Sequence, residues 1–347
     1  MQPVCELGLA RLQLVTGTST DIVTTPSEER PDDRSPIAVL RIPGTGGGIV
    51  SSALSHGYSP LEGLGKFLVD PQMARVTVET VASKPGLRGL GGQVPYGLCL
   101  RYLPSGTRYI TVLRDPVSRL FSQHPAQGAG DPAVRERLRL SWEHVLNAER
   151  TERLGHDGGA DIRLEENADV SLEAGLARRV PLYENLMTRF LWGGDTIFGD
   201  LPPDALERAK ENLTRFWFVG VGERLEDSIV LLGRKLGVGV MPYHRGHAIE
   251  TRPREEEIPP RLRKRIEGHN ALDLELYAFI RERFEAAASA ADELERDVDE
   301  LRRRSLELSA VREATRVARQ TRKITAKTAK LAAKNEKRAA KLRESAN

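Results

Sequence analysis

Pro43, Gly44, Thr45, Gly46, Gly47 and Gly48 make a turn with almost no side chains, set between two apolar runs. Ile37, Val39, Leu40 and Ile42 precede it with the β-branched pattern of a strand covered on both faces. Ile49 to Leu54 resumes an apolar pattern on the other side, so the order predicts strand, tight turn and helix. Such a turn directs several unpaired N–H groups and the positive end of a helix dipole at one spot, which favours a phosphate or sulfate. The same residues also suit a strand-to-helix connection that binds nothing. No lysine follows the second glycine, so the Walker pattern is missing and an ordinary P-loop kinase or ATPase is disfavoured.

A second polar group gathers in TRYITVLRDPVSRLFSQH. Tyr109 to Leu113 reads as a strand with Arg114 at its C-terminal end. Asp115 is placed to cap the next helix, and Pro116 takes a first-turn position where its missing N–H costs nothing. In open α/β sheets ligands bind at this edge.

The elements that must position these groups alternate. One strand is expected in the connecting region, at either Arg75 to Val81 or Leu87 to Gly91, then a short helix over Val94 to Leu103. Helices are expected over Pro132 to Arg150, Leu172 to Gly193, Pro202 to Thr214, Glu223 to Leu236 and Arg261 to Phe284. Phe216 to Val221 is a further strand. The fold class read from this order is α/β, a P-loop-NTPase-like three-layer fold with a mostly parallel sheet and helices on both faces. Residues 1–35 read as a mobile leader, 36–285 as the α/β domain and 286–347 as a helical tail.

In the tail, Phe284, Ala287, Ala291, Leu294, Val298, Leu301, Ser305 and Leu308 alternate at three and four residues, the spacing of a coiled coil. A homodimer through 285–310 is the resulting expectation. A weaker seam, Val317, Thr321, Ile324, Thr328 and Leu331, continues it. Between Val311 and Asn347 there are twelve Lys or Arg against three Glu, although the whole chain carries only +3. Contact of 311–347 with a polyanion or an anionic membrane surface follows, while the rest of the chain, net negative, is not a nucleic-acid binder on charge. Cys5 and Cys99 are too few for a disulfide framework, no metal-ligand cluster is spaced for a metal, and Cys99 reads as a small core residue. No span of 18 apolar residues and no signal peptide is visible, so the expected location is cytoplasmic.

Together, RIPGTGGG and RDPVSRLFS resemble the two cofactor motifs of sulfotransferases that use 3′-phosphoadenosine 5′-phosphosulfate (PAPS), in the branch of heparan sulfate 2-O- and related carbohydrate sulfotransferases. YENLMTRFLWG, FVGVGERLEDSIVLL and NALDLELYAFIRERF resemble later stretches of the same family, so the likeness spans about residues 36 to 285. The resemblance implies that Pro43 to Gly48 hold the 5′-phosphosulfate through backbone N–H groups. It gives Arg114 the 3′-phosphate, with an ion pair to a carboxylate as the alternative, and Ser122 a hydroxyl donor's part. Arg119 reads as an ion-pair residue, and Arg189 either faces the ligand or braces its helix.

The family's lysine at the leaving oxygen corresponds to Gly44, and its candidate base, a histidine, to Gln93. Substitutes nearby are Arg41, Thr45, His56, Lys66, Lys84 and His124, with Arg41 the candidate catalytic cation. The implied function is sulfuryl transfer from PAPS to a hydroxyl of a carbohydrate or small-molecule acceptor, with PAP leaving. A catalytically inactive, nucleotide-binding or scaffolding module acting through its tail is the alternative.

Overall fold

In a computed structural model, which describes residues 35–66, 71–123, 183–244, 258 and 260–344, the run Ile37–Leu40 forms strand β1 with every residue buried. The chain continues through α1 (Gly47–Gly57), β2 (Glu62–Lys66), α2 (Pro71–Ala82), β3 (Gly89–Gln93), α3 (Tyr96–Tyr102), β4 (Arg108–Leu113) and α4 (Pro116–Gln123). After the segment 124–182 come α5 (Leu186–Leu191), α6 (Ala205–Thr214), β5 (Phe218–Val221) and α7 (Leu225–Leu236). The last described elements are α8 (Pro260–His269), α9 (Ala271–Ser289) and α10 (Leu294–Glu344). The expected leader, the helix over Pro132 to Arg150 and the first half of that over Leu172 to Gly193 lie outside the described residues.

The sheet is five-stranded and parallel throughout, in the order β2-β3-β1-β4-β5. On one face α1 packs on α7, and α7 on α10. On the other lie α2, α3, α5, α6 and α9. The three-layer α/β arrangement expected from the strand–helix alternation is therefore present. Because β3 and β4 flank β1, the chain crosses over β1 between them. That is the switch point where a crevice opens outside the strand ends.

Two elements in the connecting region depart from the sequence reading. Arg75 to Val81 lies in α2, because Ala74, Val78 and Val81 are buried at helical spacing while Val76 is 54% exposed. Its β-branched residues give way to packing, as weak propensities do. The expected strand forms at the second of the two places, as β3, and its neighbour β2 is an additional strand with no sequence signature: among the described residues EGLGK is an edge strand bonded to β3. Glycine in β3 answers a close approach, since a Cβ on Gly89 would lie 2.6 Å from Leu61 Cδ2.

The helix expected over Arg261 to Phe284 is two helices, broken at Asn270, and the break holds α5 in place. Asn270 Oδ1 accepts from Asn185 N at 3.0 Å, and its Nδ2 donates to the carbonyls of Tyr183 and Ile266. Asn185 Oδ1 returns the favour to α9, accepting from Leu272 N and Asp273 N. Asp273 then accepts from Met187 N, Thr188 N and Thr188 Oγ1 at 2.8–2.9 Å. The two helix starts thus satisfy each other's orphan N–H groups inside the core. Asn185 sits at φ 46° to do so, a conformation that asparagine tolerates. Arg119 is fully buried, with the charges of Asp273 and Asp115 acting on it, and burial pushes its pKa down to about 10, so it stays a structural cation.

The seam expected to pair two chains is filled within one. Phe284 and Ala287 belong to α9, and Leu294, Val298, Leu301 and Ser305 to α10, with a corner at Ala290–Glu293 where Glu293 takes φ 55°. Leu301 and Ser305 are fully buried, and the apolar members join the main core against α7. Ser305 Oγ accepts from Tyr243 N at 3.1 Å. Periodicity alone does not distinguish a partner chain from the chain's own domain, and here α7 covers the seam. A 285–310 homodimer therefore has no free seam to use.

Two outcomes follow from this packing. Leu301→Ala should lower unfolding stability by about 2–5 kcal/mol, with a denaturation midpoint that does not move with protein concentration. A concentration-dependent midpoint would restore the dimer. Asp273→Ala strands three buried donors and should cost about 3 kcal/mol or more, read by urea unfolding; Asp273→Asn, which keeps an acceptor oxygen, should cost less.

Candidate functional site

The glycine turn follows β1 at the switch point. Gly44 and Gly46 adopt φ 82° and 109°, a region closed to most side chains, and Gly46 caps α1 in that conformation. The amides of Gly47 and Gly48 open the helix, where first-turn N–H groups have no intrahelical acceptor. Space is tight at two of these points. A Cβ on Gly47 would sit 3.1 Å from Arg41 Cα, and one on Gly46 would sit 3.1 Å from Leu225 Cδ1. Gly48 is exposed, and a Cβ there would meet nothing within 4 Å, so the mouth of the turn is open. Thr45 turns inward instead: it is 1% exposed and its hydroxyl donates to the Ile42 carbonyl at 2.9 Å. Its side chain is spent on the turn.

Two guanidinium groups flank the turn. Arg41, half-buried, lays its stem against Gly47, and its buried Nε has no hydrogen-bond partner among the described residues. Burial lowers its pKa, the signature of a cation held away from water. Arg114, at the C-terminal end of β4, donates from Nη1 to the Gly44 carbonyl and from Nε to Glu223 Oε1, both at 3.2 Å. The ion pair given as the alternative reading of Arg114 is present, and the same side chain also touches the glycine turn. Its carboxylate partner is not the adjacent Asp115, which caps α4 by accepting from Ser118 N at 2.8 Å. Nη2 of Arg114 has no partner among the described residues. Ser122 is half-buried, about 10 Å along α4 from its cap.

Glu223 and Tyr277 join the site although the sequence reading did not single them out. Glu223 follows β5, and its Oε2 accepts from the Tyr277 hydroxyl at 2.8 Å. Burial and the Glu223 charge push the Tyr277 phenol up, so it stays protonated and donating. Glu223 lies at a strand's C-terminal edge, which is the one signal that marks it. Tyr277 comes from α9 and carries none.

Of the expected substitutes for a base or a leaving-group cation, the fold removes three. Thr45 is bonded inward. His56 lies at the far end of α1, with Nδ1 2.7 Å from the Ser52 carbonyl, about 14 Å from the turn. Lys84 is ion-paired with Glu62 on the surface. His124 falls outside the described residues, and for Lys66 only the strand is described, placing it beside Gln93 in the β2–β3 register. Gln93 ends β3 at the same sheet edge as Arg41 and Arg114, and its buried Oε1 has no partner among the described residues. Arg189 is 6% exposed and donates to the carbonyls of Glu184, Ile197 and Gly199; it braces its helix. Cys99 is a buried core thiol with its pKa pushed up to about 12. Among the described residues no cluster of His, Cys, Asp and Glu is placed to hold a metal ion.

Comparison with known proteins finds distant relatives. Over 199 residues the chain is 28% identical to the heparan-sulfate 6-O-sulfotransferase 2 of Homo sapiens and to that of Mus musculus, and it is equally similar over 193 residues to the Gallus gallus protein. The match covers 51% of this chain, 29% of each mammalian protein and 44% of the chicken one. The chain thus spans less than half the length of these relatives. No family model matches. The motifs resemble those of heparan sulfate 2-O- and related carbohydrate sulfotransferases, and these relatives are heparan-sulfate 6-O-sulfotransferases, so the agreement lies in carbohydrate sulfotransferases as a class, to which the chain is distantly similar.

Proposed function

We propose that this chain binds PAPS and PAP at the glycine turn and transfers a sulfuryl group to a hydroxyl of a carbohydrate acceptor. The observation that carries the proposal is the meeting, at the switch point of the sheet, of an open glycine turn with two guanidinium groups, Arg41 and Arg114. The donor, when bound, supplies the sulfuryl group and leaves as PAP. The chain's own residues fit that ligand: the amides of Gly47 and Gly48 supply N–H donors, and the free Nη2 edge of Arg114 together with Ser122 offers a second phosphate its hydrogen bonds. Glu223 and Tyr277 hold the Arg114 fork in orientation before any ligand arrives, which lowers the ordering cost of binding.

Gly44 provides no cation at the leaving oxygen. Arg41 takes that part in this reading, because its buried Nε lacks a partner and its stem already touches the turn. A desolvated guanidinium gains the most from a developing negative charge. Gln93, the residue standing where a base is expected, holds the acceptor hydroxyl by hydrogen bond and leaves its proton to water, since an amide does not titrate near neutrality. A second reading, a donor-binding protein without turnover, is favoured by the same two residues, Gly44 and Gln93.

A thermal-shift titration with PAP tests the pocket. At a hundred times its Kd, PAP should stabilise wild type by about 2.7 kcal/mol and Arg114→Ala by much less. No shift in wild type, or equal shifts in both, would remove the pocket. Transfer of labelled sulfate to desulfated heparan chains separates the two readings. Wild type is expected to turn over slowly, and Arg41→Ala to lose about a hundredfold while still responding to PAP. Undetectable wild-type transfer with intact PAP binding would establish the non-catalytic reading. Gly44→Lys is expected to raise the rate of a slow wild type, at about 1–2 kcal/mol of stability because the position needs φ 82°.

A further inference from the structure

The strongest unassigned feature is the outer half of α10. Its inner half runs antiparallel to α7: Asp297 pairs with Arg234 near the end of α7, and Arg302 pairs with Glu226 near its start. The start of α7 is at the ligand edge of the sheet, where Leu225 lies against the glycine turn. Beyond Ser305 the helix therefore leaves the domain on the side where that turn opens. Arg312 is about 15 Å past the level of Arg302 along the axis, and Lys330 about 42 Å.

The docked face of α10 is Leu294, Val298, Leu301 and Ser305, at spacings of four, three and four. Continued with the helical repeat, the same face passes through Arg312, Arg316, Arg319, Lys323, Lys327 and Lys330, all exposed. The sequence keeps this spacing as far as Lys341. The side that packs on the domain thus becomes, once it has cleared the domain, a row of cations above the ligand edge. Successive charges stand three or four residues apart, about 4.5–6 Å. Of the six, Arg316 is paired with Glu313.

We propose that this row is a binding track for a linear acidic polysaccharide, the same chain whose hydroxyl the glycine-turn site accepts. The inference rests on the reading given under Proposed function for the identity of the polymer, though not for the existence of the track. A polymer held on the track presents its hydroxyls to the site at a raised effective concentration. An anionic membrane fits less well. Among the described residues between Arg312 and Lys330, the exposed large apolar side chains are Val317 and Ile324. That is too little apolar surface for an interfacial helix, which buries a broad apolar face.

The test is fluorescence anisotropy of a labelled heparin dodecasaccharide with the full chain. Compared with wild type are a track variant (Arg319, Lys323, Lys327 and Lys330→Gln) and a control (Arg75, Arg101, Arg208 and Arg215→Gln) that removes four exposed cations elsewhere. The track variant should bind about tenfold more weakly or worse at 0.1 M salt, and the control within about twofold of wild type. Equal affinities in the two variants overturn the proposal. So does tighter binding of wild type to a single-stranded oligonucleotide of matched charge, or to vesicles containing phosphatidylserine. PAP thermal shifts on the same samples separate the two readings: a track-dependent oligosaccharide affinity with no PAP response defeats the nucleotide site and leaves the track. A PAP response without oligosaccharide affinity does the reverse.

Discussion

The candidate site depends on one close backbone passage. Gly222, directly after β5, runs so near the glycine turn that a Cβ on it would lie 2.6 Å from the Thr45 carbonyl oxygen and 2.9 Å from Arg114 Cγ. Packing density in protein interiors leaves no slack for a methyl group at such a point. Because the passage is open, β5 can deliver Glu223 to Arg114, and α7 can begin with Leu225 against Gly46. The orientation of Arg114, the start of α7 and the seat of α10 all descend from that approach.

Charge at the sheet edge is arranged asymmetrically. Arg114 is tied on two sides, by the Gly44 carbonyl and by Glu223, and Glu223 is itself held by Tyr277. Arg41 has the opposite environment, with a buried Nε that no described residue satisfies. A buried donor without an acceptor costs on the order of 1–3 kcal/mol, and an anion at the turn would offset that cost. One cation is thus preset by protein contacts, and the other is left with its hydrogen bond to make. Gln93 Oε1 is a second buried polar atom on the same edge without a partner among the described residues. Unmet hydrogen-bonding capacity collected at a switch point is what a ligand site looks like before its ligand.

The two structural appendices of the core work by the same rule that each helix must bury one stripe. In α5 and α9 the stripe is completed by reciprocal capping through Asn185, Asn270 and Asp273, which lets two helix starts sit in the interior without orphaned amides. In α10 the apolar stripe ends where α7 ends its cover, and cations take over the same face. The change of residue type along that single face records where the domain stops.

Much of this was legible in order and type alone. The β1–turn–α1 unit, the β4–Arg114–α4 unit and the parallel α/β class follow from apolar runs of fixed length, glycine clustering and a proline at a helix start. These are local signals, read without knowing what lies across the sheet. Tertiary structure decided the rest. Val76, Val78 and Val81 went to a helix because a neighbouring surface covered one face of it. β2 formed from EGLGK because β3 offered an edge. The seam from Leu294 to Leu301 met its own domain instead of a second chain, a choice that spacing does not encode. Arg114 found Glu223 from 109 residues away, and Tyr277 came to the site only because α9 packs on β5. Sequence determines which groups a segment can present; which of them meet depends on long-range packing, where the partners are remote in the chain and set by shape.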